Sequence, residues 1–145
     1  MVTLREQLNK HTSAIKKLLY TIKREEERLS VRSLAVERCY RSIKLSTNEF
    51  SNEEEEAEEY AEMLANVEAI QADLSTYVAQ LKDKLLNMQR GYSTLLGLPN
   101  STAARALASY IEEDARLCAR DLAIAREGYD ELIERLQEMS HLRDQ

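Results

Sequence analysis

Counting in sevens from Leu8 lands on Ile15, Ile22, Leu29, Val36 and Ile43. The same count continues through Phe50, Ala57, Leu64, Gln71, Val78, Leu85 and Tyr92, so its phase holds with one polar interruption, Gln71. A companion seam opens with Leu4, His11 and Leu18, turns polar at Glu25 and Arg32, and resumes at Cys39. Further on it reads Tyr60, Val67, Leu74, Leu81, Met88 and Leu95. The last third carries Ala104, Leu107, Ile111, Ala115, Cys118, Leu122, Ala125, Tyr129, Leu132, Leu136 and Met139, mostly in alternating steps of three and four. Apolar residues at this spacing line one face of a helix that packs on other helices. The pattern predicts an all-α fold, an elongated antiparallel three-helix bundle or coiled coil. Its helices are expected over 3–44, 47–96 and 101–142, within a single helical domain 1–145.

Two stretches punctuate this pattern. Leu96-Gly97-Leu98-Pro99-Asn100-Ser101 is a stop followed by a start. Gly97 suits a left-handed helix end, Pro99 forbids continuation, and Asn100 or Ser101 can cap the next helix. Ser46-Thr47-Asn48-Glu49 has the form of a capping box, with Leu45 and Phe50 placed as a hydrophobic staple. Ser51 and Glu54 offer a second box, and the glutamates that follow suit the positive end of a helix dipole. Yet the heptad phase crosses residues 45–52 unbroken. A turn there gives a bundle; a through-going helix gives a rod with one folded-back arm. From Thr47 to Leu96 the second helix would run about 75 Å at 1.5 Å per residue and be the longest of the three.

One Pro, three Gly and no Trp, with 32% charged and 43% hydrophobic residues, suit long helices. No apolar run reaches the ~20 residues of a membrane span, and no export signal is visible. With Cys39 and Cys118 far apart, reduced thiols and an intracellular location are expected. Asn100-Ser101-Thr102 matches a glycosylation acceptor only by chance on that reading. The net charge of −6 is unevenly spread. Residues 1–45 carry 11 Lys/Arg against 5 acids, residues 46–100 carry 3 against 11, and residues 101–145 carry 6 against 10. Antiparallel packing would set the basic first segment beside the acidic second and neutralise both.

No constellation points to catalysis or a cofactor. The glycines are isolated, and no Cys/His cluster has zinc spacing. Glu138-x-x-His141 is half of a carboxylate di-metal motif whose other half is absent. His11 sits on a seam, where a polar residue sets register or meets a partner at a bundle end. The bases Lys16, Lys17, Lys23, Arg24, Arg28, Arg32, Arg38, Arg41 and Lys44 offer a stripe over residues 16–44 for nucleic-acid phosphates or membrane headgroups, opposed by the acidic whole-chain charge. The glutamate run at 53–62 reads as a solvated helix start.

Leu4-Arg5…Leu8, Glu37-Arg38-Cys39-Tyr40, Glu49-Phe50 and Glu59-Tyr60, in this order, resemble the N-terminal helical Gag region of BEL/Pao-type LTR retrotransposons. The resemblance covers most of the chain and implies a structural, self-associating segment with no catalytic residues. The expected function is a non-enzymatic interaction module that packs helices against protein partners and its own copies. Its expected contact seam is Leu64, Val67, Gln71, Leu74, Val78 and Leu81 on the second helix.

Overall fold

A computed structural model of the chain describes residues 3–47 and 54–144. Within them the structure is all-α, with α1 over Leu4–Thr47, α2 over Glu54–Leu96 and α3 over Thr102–Asp144. The described helices have 44, 43 and 43 residues, and the residues just ahead of α2, 48–53, on which its full length depends, lie outside the described residues. α1 runs on past the expected end at 44, through Ser46, and the described part of α2 begins at Glu54 rather than 47. Glu49 and Phe50, and with them the expected Ser46–Glu49 cap, lie outside the described residues.

The chain forms two compact units, and each draws on all three helices. One joins 1–27 to 78–124 and contains the Gly97 turn; the other joins 28–77 to 125–145 and contains Tyr60.

In the Gly97 unit, contacts between α1 and α3 advance together along both helices. Arg105 donates to Gln7 at 2.6 Å, and His11 meets Glu112 at 2.5 Å, so the two run parallel. α2 opposes them: Gly91 lies against Ile111, and the Cys118 thiol points at the Leu81 carbonyl. The core gathers Ile15, Leu95, Ala104, Ala108 and Ile111, flanked by Leu8, Leu19, Tyr92 and Leu107. Ile22, Leu81 and Leu122 are 0%, 2% and 2% exposed. Burying such a side chain contributes about 1.5–3 kcal/mol, which is what holds these polar-surfaced helices together.

The turn that ends α2 differs in detail from the expected one. Gly97 does not take the left-handed conformation, since no described glycine has a positive φ. The last turn tightens instead: the Gly97 and Leu98 amides donate to Thr94 and Leu95 three residues back, both at 3.1 Å. That satisfies helix-end carbonyls without a left-handed residue. Pro99 and Asn100 stand outside both helices, and the cap of α3 is Ser101, whose Oγ accepts the Ala104 amide at 3.2 Å. α1 starts on a box that pattern counting passed over. Thr3 Oγ1 accepts the Glu6 amide at 3.2 Å, and Glu6 accepts the Thr3 amide at 3.4 Å.

In the Tyr60 unit, α2 and α3 again run in opposite directions. Leu74 lies against Gly128, and the Tyr60 hydroxyl donates to the Met139 carbonyl. α1 joins through Tyr40, which donates to Glu68 at 3.0 Å, and through Arg32, which meets Asp130 at 2.8 Å. The α1 and α2 segments here are antiparallel, so the chain reverses between Thr47 and Glu54 and no single helix runs through. The buried side chains include Leu29, Val36, Ile43, Leu64, Val67, Tyr129, Leu132, Leu136 and Met139.

Candidate functional site

The expected contact seam on α2 is spent on the fold. Leu64, Val67, Val78 and Leu81 are 7%, 1%, 8% and 2% exposed, while Gln71 and Leu74 are half-buried. A different apolar stripe is free. Tyr110, Leu117 and Ile124 follow one another at seven-residue spacing on the outer side of α3 and are 67%, 40% and 53% exposed. Their register differs from the inward Ile111, Ala115, Cys118 and Leu122, so they form a second stripe on one helix. Sequence counting followed the inward stripe and passed over this one, although the heptad 110–117–124 was legible.

Beside this stripe, α2 and α3 of the Gly97 unit enclose an open groove of about 550 Å³. Gly91, Met88 and Ile111 contribute to its lining, with Lys84 on the α2 side and Tyr110, Asp114, Leu117 and Asp121 on the α3 side. A Cβ at Gly91 would come within 3.2 Å of Ile111 Cδ1, so the glycine keeps the two helices close. Cys118 also lines the groove yet is 2% exposed. Burial, helped by the charge of Asp121 and opposed by Lys84, pushes its thiol up to about 11. A thiol so protonated at neutral pH is a poor nucleophile.

His11 meets a partner inside its own unit. Its Nδ1 lies 2.5 Å from Glu112, a carboxylate whose side chain is 12% exposed and which also accepts from Arg116 at 2.7 Å. Two cationic or donor groups thus compensate one nearly buried acid, which is a structural use of the histidine. Glu138 and His141 lie on the exposed surface of α3 with Glu134, and no group of three potential metal ligands occurs among the described residues.

The basic stripe on α1 divides in two. In its rear part Arg32 meets Asp130, Arg41 meets Glu37 at 2.7 Å and Lys44 lies over the Tyr40 ring at 5.7 Å, while Arg38 is exposed with no ion pair among the described residues. Its front part is not neutralised in this way. Lys10, Lys16, Lys17 and Lys23 are exposed and take part in no ion pair among the described residues.

No helix among the described residues is long and apolar enough to cross a membrane. Comparisons with protein families, with curated proteins and with solved structures find no match to this chain.

Proposed function

We propose that this chain is a non-enzymatic helix-packing module that associates with its own copies, and that its contact surface is the α2–α3 groove of the Gly97 unit. The observation that carries this reading is the outward stripe Tyr110, Leu117 and Ile124, an apolar heptad row left over after the core is filled. Such a row is what a helix presents to another helix. The charges beside it suit a second copy. Lys84 stands on the α2 lip, and Asp114 and Asp121 on the α3 lip. A two-fold contact lays each α2 lip against the partner's α3 lip and pairs opposite signs twice. In this reading the Gag-like resemblance is a proposal of context, a structural segment of a retroelement protein inside the cell.

Light scattering behind size exclusion, run over a range of concentrations, tests it. A monomer–dimer equilibrium is expected, and Leu117→Asp should abolish the dimer while leaving helix content unchanged. A wild-type chain that stays monomeric at the highest concentration sinks the self-association reading. A dimer indifferent to Leu117→Asp removes the groove from it. Lys84→Asp alone should weaken the dimer, and adding Asp114→Lys and Asp121→Lys to the same chain should restore it.

A further inference from the structure

We infer that the outer face of α1 in the Gly97 unit binds the phosphodiester backbone of single-stranded nucleic acid. This goes beyond the self-association reading and uses a different helix face. From Gln7 to Arg24 the chain contains no acidic residue and five basic ones, Lys10, Lys16, Lys17, Lys23 and Arg24. All five are exposed, and the α1 side chains buried beneath them are Ile15 and Ile22. At 100° per residue the five span an arc of about 140° opposite those two isoleucines, and from Lys10 to Arg24 they extend about 21 Å along the helix.

The packing leaves these charges available. The four lysines have no carboxylate partner among the described residues, and Arg24 lies over the ring of Tyr20 at 5.8 Å. Acids begin at Glu25, Glu26 and Glu27, where the face ends; Glu25 is buried and Glu26 reaches Lys82 at 3.9 Å. The unit as a whole holds twelve Lys/Arg against nine acids, so its net charge is +3 in a chain of −6.

Tyr20 decides the class of polyanion. It is 65% exposed and stands in the middle of the basic arc. An exposed aromatic ring among cations is the means by which single strands are held, with bases stacked on the ring and phosphates beside the charges. A bilayer surface would need an apolar helix face to bury among the lipids. Here that face is already committed to the core through Ile15 and Ile22.

The test is fluorescence anisotropy of a labelled thymidine oligonucleotide of about twenty nucleotides, enough for one such face. It is run with the full chain against a salt series, beside a duplex of the same length and vesicles containing phosphatidylserine. Binding at low salt is expected, weakening with a log–log slope of roughly −3 if about four phosphates are neutralised. Lys16→Glu with Lys17→Glu and Lys23→Glu should reduce affinity at least tenfold, with helix content and melting temperature unchanged. Tyr20→Ala should weaken the single strand several-fold and leave any duplex binding unaltered. No binding at low salt, or equal binding by the charge-reversed variant, overturns the inference. Tighter binding to vesicles or to duplex than to the single strand overturns the assignment to single strands. Light scattering on the charge-reversed variant separates this face from self-association, because the groove residues are untouched.

Discussion

The two compact units are built from the same three helices by the same heptad logic, yet they carry opposite charge. The Gly97 unit has a net of +3; the Tyr60 unit holds eight Lys/Arg against seventeen acids, a net of −9. Their packing is more alike than their surfaces. Each has one glycine where α2 meets α3: Gly91 of α2 takes Ile111, and Gly128 of α3 takes Leu74. Each has a tyrosine or histidine whose polar end is satisfied across helices, His11 by Glu112 in one and Tyr60 by the Met139 carbonyl in the other. They differ in what is left unpaired. In the Tyr60 unit Arg32 and Arg41 of α1 meet Asp130 and Glu37, while Arg38 does not; in the Gly97 unit none of the α1 lysines meets an acid among the described residues. The apolar row and the basic face both belong to the Gly97 unit. Similar interiors thus support different surfaces, and both proposals rest on that difference.

Core truncation is the strongest way to break the resemblance between the interiors. Ile22→Ala in the Gly97 unit and Leu132→Ala in the Tyr60 unit, at 0% and 1% exposure, should each cost about 2–5 kcal/mol in urea unfolding. Hydrogen exchange should show the first loss of protection concentrated in 4–27, 78–96 and 102–124, and the second in 28–47, 54–77 and 125–144. A pattern of loss indifferent to the site of mutation would dissolve the distinction between the units.

Alkaline pH should weaken the Gly97 unit through Cys118. Its folded thiol titrates near 11 against an ordinary value of 9.0, so the native state holds a proton that the unfolded state has lost. That stability is fully present below pH 9 and drains away as pH rises toward 11, by about 2 kcal/mol at the upper end. Cys118→Ala should flatten this part of the pH profile, whatever it does to absolute stability.

His11→Ala leaves Glu112 nearly buried with Arg116, one turn on in the same helix, as its remaining cation, at an expected cost of about 1–2 kcal/mol. Ser101→Ala removes the cap of α3 and should cost about 1 kcal/mol by thermal unfolding, whereas Asn100→Ala should be neutral. The smallest effect sharpens the glycine comparison. Alanine at either site gains up to ~1 kcal/mol of helix propensity. At Gly128 it presses on the side-chain end of Leu74, which is only half-buried, with the nearest methyl at 3.0 Å. At Gly91 it presses on Ile111, which is 4% exposed and β-branched, at 3.2 Å. Gly128→Ala should therefore come out more stable than Gly91→Ala, by about 0.5 kcal/mol.

The inward seams were legible because a heptad count needs only residue type and spacing. Ile15, Ile22, Leu29, Val36 and Ile43 were counted as one seam and are buried, and so is the α3 row from Ile111 to Met139. Glu25 lies on the companion seam between Leu18 and Arg32 and is buried too; the spacing flagged the position, but a charged residue there read as a break in the seam. Glu112 gave no such signal, since its burial depends on His11 and Arg116 arriving from two directions. The cap at Thr3 and Glu6 has the same three-residue spacing as Ser46 and Glu49 and is equally legible in the sequence.

By itself, the sequence determined that the chain is helical, where the Gly97–Pro99 stop falls, and which residues fill the interior, because periodicity and backbone chemistry are local. Direction and pairing required tertiary structure. The heptad phase runs through residues 45–52 without a break, and only the opposed run of α1 and α2 in the Tyr60 unit shows that the chain turns back. Packing then buried most of the expected α2 contact seam, since Leu64, Val67, Val78 and Leu81 are spent on the interior. Charge was regrouped as well. A linear count makes the first third basic and the rest acidic, whereas folding divides every helix between a positive and a negative unit. Which lysines are neutralised depends on what stands opposite them, and no count along the chain contains that.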